Sequence, residues 1–208
     1  MNSFKVAVLG DVGVGKSSIL LRFIANKFSP YHNSTVGAAY YVKEFHINGD
    51  SNKLYIWDTA GQEKYRSLVP MYYKNGNAII IVYDLINYAS YERAKIWFNE
   101  VIKYHDNSNA NGYPIVYLVG NKLDLIMNDQ KLRKVSSDVL MEFAKVNNLS
   151  IFEVSAKTGQ NVTELFSVIN GKLRELYQTN RLKNKNTTSS VIDIMTVKSS
   201  DKKGFCCY

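Results

Sequence analysis

Residues Gly10–Ser17 read GDVGVGKS. Glycines at this spacing let successive backbone N–H groups turn toward phosphate oxygens. A lysine following them reaches β- and γ-phosphates, and the serine hydroxyl can ligate Mg²⁺. The strand-like FKVAVL (4–9) precedes the loop, and the apolar-faced KSSILLRFIANKF (16–28) follows it as a helix. A helix beginning there adds its positive N-terminal end to the anion site. The chemistry implied is binding of a nucleoside triphosphate. The loop alone gives neither base nor reaction. Its third residue, Val12, is β-branched and stands beside the place of the terminal phosphate.

A second constellation is WDTAGQE (57–63). Asp58 ends a strand-like run, where a carboxylate can hold Mg²⁺; Gly61 offers an N–H to a γ-phosphate, and Gln62 can orient an attacking water. An Asp closing a strand is more often a cap or turn former, but the spacing Asp-x-x-Gly-Gln favours the chemical reading. Two further loops carry base-reading groups. In VGNKLD (119–124) the Asp124 carboxylate can accept from guanine N1–H and its exocyclic amine, a pair adenine does not present. A mismatched base would leave that polar edge unsatisfied. Asn121 is expected to read the base beside it, with Lys122 packing over the ring. In EVSAK (153–157) the Ala156 N–H can face the guanine carbonyl. Phe28 either stacks edge-on to the base or packs in the core.

The elements that must position these groups alternate. Apolar runs at 4–9, 78–84, 115–120 and 151–155 read as buried strands. AAYYVKEFHI (38–47) and KLYIWD (53–58) flank NGDSN, a hairpin turn. Helical periodicity occupies 90–104, 136–147 and 161–177, where Val162, Leu165, Phe166, Ile169, Leu173 and Leu176 share one face. Such alternation predicts an α/β fold, a mostly parallel sheet of six strands covered by helices on both sides. Ligands of these folds lie at the carboxyl ends of the strands, where every motif above falls.

The chain has 208 residues, 46% apolar and 21% charged, with a net charge of +8. Half of that charge lies in Thr179–Tyr208, where six basic residues face two acidic ones. This distribution argues against nucleic-acid binding, and no reader motif accompanies it. The leading Met1–Ser3 runs straight into a strand, giving no signal peptide, and AIIIVY (78–83) is far shorter than the roughly 20 residues of a membrane span. The expected organisation is a nucleotide domain over 1–177 and a flexible, polar tail over 178–208. An ATPase or nucleotide kinase sharing only the phosphate loop leaves NKLD and SAK unexplained.

Taken together, the motifs closely resemble the Ras superfamily of small GTPases and, within it, the Rab family, over residues 4–177. KLYIWDTAGQEKYRSL (53–68) and YYKNGNAIIIVYDLIN (72–87) are similar to Rab-specific stretches, and STVGAAY (34–40) with SLVPMYY (67–73) to the early-endosomal branch. The resemblance implies a P-loop G domain that cycles between GDP and GTP. It places Gly13, Val14, Gly15, Lys16, Ser17, Ser18, Phe28, Thr35, Gly61, Asn121, Lys122, Asp124, Ser155, Ala156 and Lys157 on the nucleotide. Ser17, Thr35 and Asp58 fall on Mg²⁺, and Gln62 on the catalytic water. It also implies that Tyr40, Trp57 and Tyr72 form an aromatic triad read by effectors; the three could equally be core residues.

The terminal FCCY resembles the Rab double-cysteine ending, with geranylgeranyl groups on Cys206 and Cys207. Two chains anchor stably where one does not, and the basic tail favours an anionic surface. The implied partners are an exchange factor, a GTPase-activating protein, effectors and a prenyl-binding chaperone (a GDP-dissociation inhibitor). The chain would act as a monomer on the cytoplasmic face of endosomal or vesicle membranes, cycling with the cytosol. Val12, where the family commonly has glycine or serine, is expected to slow intrinsic hydrolysis. Its presence keeps open a second reading, a GTP-bound scaffold that scarcely hydrolyses.

Overall fold

The computed structural model describes residues 2–31, 33–47, 50–107 and 114–197. A six-stranded sheet forms the centre, built from β1 (Asn2–Gly10), β2 (Ala38–Ile47), β3 (Asp50–Thr59), β4 (Ala78–Asp84), β5 (Ile115–Asn121) and β6 (Ser150–Glu153). The strand order is β2-β3-β1-β4-β5-β6. Only β2 runs antiparallel to its neighbour, paired with β3 from Ala38↔Thr59 to Ile47↔Asp50. The Asn48–Gly49 part of the expected hairpin turn lies outside the described residues. All seven residues of β4 are buried, as an interior parallel strand demands.

The helices are α1 (Lys16–Ala25), α2 (Val69–Tyr73), α3 (Tyr88–Asn107), α4 (Leu123–Asn128), α5 (Ser137–Asn147) and α6 (Val162–Val197). Alternation along the strands sends Ala7, Leu9, Ile79, Ile81, Tyr83 and Leu118 to one face. There they join Tyr73 of α2, Tyr91 and Phe98 of α3, Ile126 of α4 and Leu140 of α5 in one core. On the other side α1 packs on β1 and β3, and its Phe23 ring stacks on Phe166 at 3.8 Å.

Two compact units divide between Asn170 and Gly171, a few residues before the expected boundary at 177. The helical pattern read over 161–177 also extends further, since α6 continues to Val197. No glycine or proline stands between Lys172 and Val197 to stop it. The short α2 and α4, and the 3-10 turn at Glu63–Leu68, carry too few apolar repeats to be legible as periodicity. No helix among the described residues is long and apolar enough to cross a membrane.

Order and direction together make the site. The chain leaves β1 toward β2 at one edge of the sheet and leaves the neighbouring β3 toward β4 on the other side, and the Gly10–Ser17 loop leaves β1 at that divide. Gly10 has φ 138°, and a Cβ there would meet the Val82 carbonyl oxygen at 2.2 Å, so the first glycine is required where the chain turns out of the sheet.

Candidate functional site

A cavity of about 510 Å³ opens at the carboxyl ends of β1, β3, β5 and β6. Its walls include Gly13, Gly15, Lys16, Ser17, Ser18, Phe28, Thr35, Gly61, Gln62, Asn121, Lys122, Asp124, Ala156 and Lys157. Of the expected nucleotide residues, Val14 and Ser155 stand behind the wall, 1% and 0% exposed. Val12 is on the wall and half-exposed. Ser29, Pro30, Asn33, Ser34 and Leu125 also line it, and the sequence reading missed them. The first four belong to the exposed segment that leads to Thr35.

At one end lies the phosphate loop. Gly15 adopts φ 95° as the residue before α1, and a Cβ there would strike Asn121 Nδ2 at 2.2 Å. Lys16, 6% exposed, donates from Nζ to Gly10 O at 2.9 Å and Asp11 O at 2.8 Å. Burial lowers its pKa to about 8, against the opposing pull of the Asp58 and Asp11 carboxylates. Ser17 Oγ and Thr35 Oγ1 lie 2.7 Å apart, bringing together hydroxyls 18 positions apart in sequence. Asp58 is 1% exposed and sits in register beside Val8 on β1. Two hydroxyls and one carboxylate are hard oxygen donors, a set that suits Mg²⁺ sharing its sphere with phosphate and water.

Gly61 presses its backbone against the loop. A Cβ there would lie 2.5 Å from Asp11 C, Asp11 O and Val12 N. The next residue, Gln62, faces the cavity from the same wall as Val12. Ala60 N donates to Gly37 O at 2.9 Å, linking the end of β3 to the segment that carries Thr35.

The other end is built from β5 and β6. Asn121 donates from Nδ2 to Val14 O at 2.9 Å and accepts from Ala156 N at 3.1 Å. Both Asn121 and Ala156 also line the cavity. In this structure the two bond each other, and Asn121 braces the phosphate loop to the 155–157 turn. It is 2% exposed. Ser155 donates from Oγ to Asp124 Oδ1 at 2.6 Å, fixing the carboxylate. Lys122, at φ 70°, pairs its Nζ with Asp84 Oδ2 at 2.6 Å while its stem borders the cavity. Phe28 lines the same space at 36% exposure, which removes it from the core.

A family model described as Ras family matches residues 5–175. The chain belongs to the Ras family. The GTP-binding protein ypt5 of Schizosaccharomyces pombe is 45% identical over 170 residues, 81% of this chain and 77% of that protein. Ras-related protein RABF2b of Arabidopsis thaliana is 43% identical over 175 residues, covering 84% and 83%. Ras-related protein Rab-5A of Dictyostelium discoideum is 44% identical over 172 residues, covering 82% and 80%. This Ras-family chain is a GTP-hydrolysing small GTPase of the Rab type, in the early-endosomal branch, and serves early endosomal trafficking. It binds GTP and GDP, and the reading as a scaffold without hydrolysis is not favoured.

Outside the cavity of this Rab-type GTPase, Tyr40 and Trp57 lie in register on β2 and β3 with ring centroids 4.9 Å apart, and Trp57 lies 5.3 Å from Tyr72. Tyr40 is 48% exposed and the other two are partly covered, so the three form one surface cluster.

Proposed function

We propose that this cavity hydrolyses GTP by in-line attack of a water held by Gln62, and that its surroundings turn the loss of the γ-phosphate into a change of surface. The observation that carries the reading is the convergence on one cavity of the phosphate loop, Thr35, Gly61–Gln62 and the 121–124 and 155–157 loops. Backbone N–H groups of Gly13, Val14 and Gly15 cradle phosphates, with Lys16 neutralising their charge and Ser17 and Ser18 closing the cradle. Ser17, Thr35 and Asp58 would hold Mg²⁺, which supplies charge neutralisation to the β- and γ-phosphates. Asp124, set by Ser155, accepts from the guanine edge, Lys122 and Phe28 flank the ring, and Ala156 and Lys157 close its far side.

Thr35 and Gly61 stand where a γ-phosphate would hold the segments around 29–41 and 60–75 in order. Cleavage releases them, and partners sense the difference at the adjoining Tyr40, Trp57 and Tyr72. Sites of this design are slow alone and gain about 10³–10⁵-fold from an arginine supplied by a partner. The partner set is therefore an exchange factor, a GTPase-activating protein, effectors and a GDP-dissociation inhibitor. Geranylgeranyl groups on Cys206 and Cys207, which lie outside the described residues, would place a monomer on the cytoplasmic face of endosomal membranes and let it cycle with cytosol. The test is the nucleotide that the purified protein retains, followed by single-turnover hydrolysis. Retained guanine nucleotide with slow release of phosphate supports the proposal, and retained ATP without guanine nucleotide overturns it.

A further inference from the structure

We infer that Arg22 is a positioning residue for guanine recognition, holding the Ser155–Gly159 turn from behind so that Asp124 and Ala156 present a fixed edge to the base. Arg22 sits on the last turn of α1, the helix that begins at Lys16. Its Nε donates to Ala156 O at 3.0 Å and one terminal nitrogen to Lys157 O at 2.6 Å. The other terminal nitrogen donates to Asn26 O at 3.0 Å and Asn26 Oδ1 at 2.9 Å. Asn26 ends α1 in the left-handed region, at φ 52°. One planar guanidinium thus joins the end of the phosphate-loop helix to the base loop, using donors in a fixed fork that an ammonium lacks. The stem takes part as well, since a Cβ on Gly159 would lie 3.3 Å from Arg22 Cδ.

What the turn carries explains the effect. Both backbone polar groups of Ala156 are held, its carbonyl by Arg22 and its N–H by Asn121 Oδ1. Ser155, beside it, aims the Asp124 carboxylate. Arg22 is not among the residues lining the cavity, so it acts through the turn and not on the nucleotide. Without it the two carbonyls lose their shared donor, and the Ser155–Asp124 hydrogen bond loses its fixed base.

The inference rests on a guanine nucleotide occupying the cavity, and the test separates the two claims. Release of fluorescent GDP and of fluorescent IDP, which lacks the exocyclic amine that Asp124 accepts, is measured from full-length wild type, Arg22→Ala and Arg22→Lys. Wild type should release IDP faster than GDP. Arg22→Ala should speed GDP release about tenfold and IDP release much less, narrowing the ratio. Arg22→Lys, able to meet one carbonyl but not both, should fall between. It carries the comparison if the alanine variant does not fold. Equal acceleration of both nucleotides, or none, overturns the positioning role. A wild type that holds neither nucleotide, or does not distinguish them, overturns the nucleotide reading itself.

Discussion

Arg93 of α3 sets its Nε 2.5 Å from Oδ2 of Asp11, so the helix grips the phosphate loop one residue before Val12. The two partners differ in setting, with the Asp11 side chain 6% exposed and that of Arg93 48%. The Asp11 carbonyl, in turn, accepts from Lys16. Removing the arginine leaves a buried carboxylate with one fewer donor, while solvent at the guanidinium end limits what is lost. Arg93→Ala should therefore destabilise the GDP-bound protein by about 1–2 kcal/mol. A urea-unfolding double-mutant cycle with Asp11→Asn measures the coupling, and a value near zero would show that the pair adds nothing.

Val12 and Gln62 share a wall of the cavity, and the Gly61 backbone is already packed against the Val12 nitrogen. A branched side chain there crowds the space that Gln62 and an incoming arginine need. Each tenfold in rate corresponds to only about 1.4 kcal/mol, so slight crowding is visible in kinetics. Val12→Ser should raise single-turnover GTP hydrolysis, whereas Gln62→Leu should lower it. Equal rates for wild type and Val12→Ser would end the crowding argument.

These residues also mark what could be seen in the sequence. β4 and β5 announce themselves because a strand covered on both faces is apolar throughout, and the phosphate loop because glycine, lysine and serine are all required at fixed spacing. The meeting of Ser17 and Thr35 at the phosphate loop accords with motif order and sheet topology. Arg22 was invisible, since an arginine on an amphipathic helix reads as a solvated face until its acceptors, more than 130 positions away, are known. The bonds of Asn121 to Val14 and Ala156 are hidden for the same reason, because side chain to backbone contacts across loops leave no periodic trace. The Arg93 grip on Asp11 was equally hidden, both residues being ordinary in their own segments.

Gly61 is the position where a single methyl group should matter most. Its neighbours at 2.5 Å are backbone atoms of Asp11 and Val12, which cannot swing aside as a side chain would. Gly61→Ala must push the 58–62 segment away from the phosphate loop, displacing Gln62 with it. Hydrolysis of bound GTP should fall at least about tenfold, while the base-reading end, built from β5 and β6, still holds GDP. Wild-type hydrolysis in the alanine variant would mean that the segment and loop separate freely.

Ser17 and Thr35 set two hydroxyls 2.7 Å apart, and with the buried Asp58 they are the oxygen donors proposed for Mg²⁺; among the described residues no cluster of three or more His, Cys, Asp or Glu side chains forms a metal cage. A cation held by this set needs the nucleotide's own phosphates to complete its sphere, so metal and nucleotide should bind as one unit. Each then stabilises the other, and removing the metal should loosen the nucleotide by the same coupling free energy. Chelation by EDTA should accelerate GDP release from wild type by about tenfold or more. Asp58→Ala takes away the one charged ligand, so its GDP release should already be fast and respond little to EDTA. Thr35→Ala keeps the carboxylate and should retain most of the EDTA response. If chelation leaves wild-type GDP release unchanged, or Asp58→Ala responds as strongly as wild type, these oxygens are not the metal's ligands.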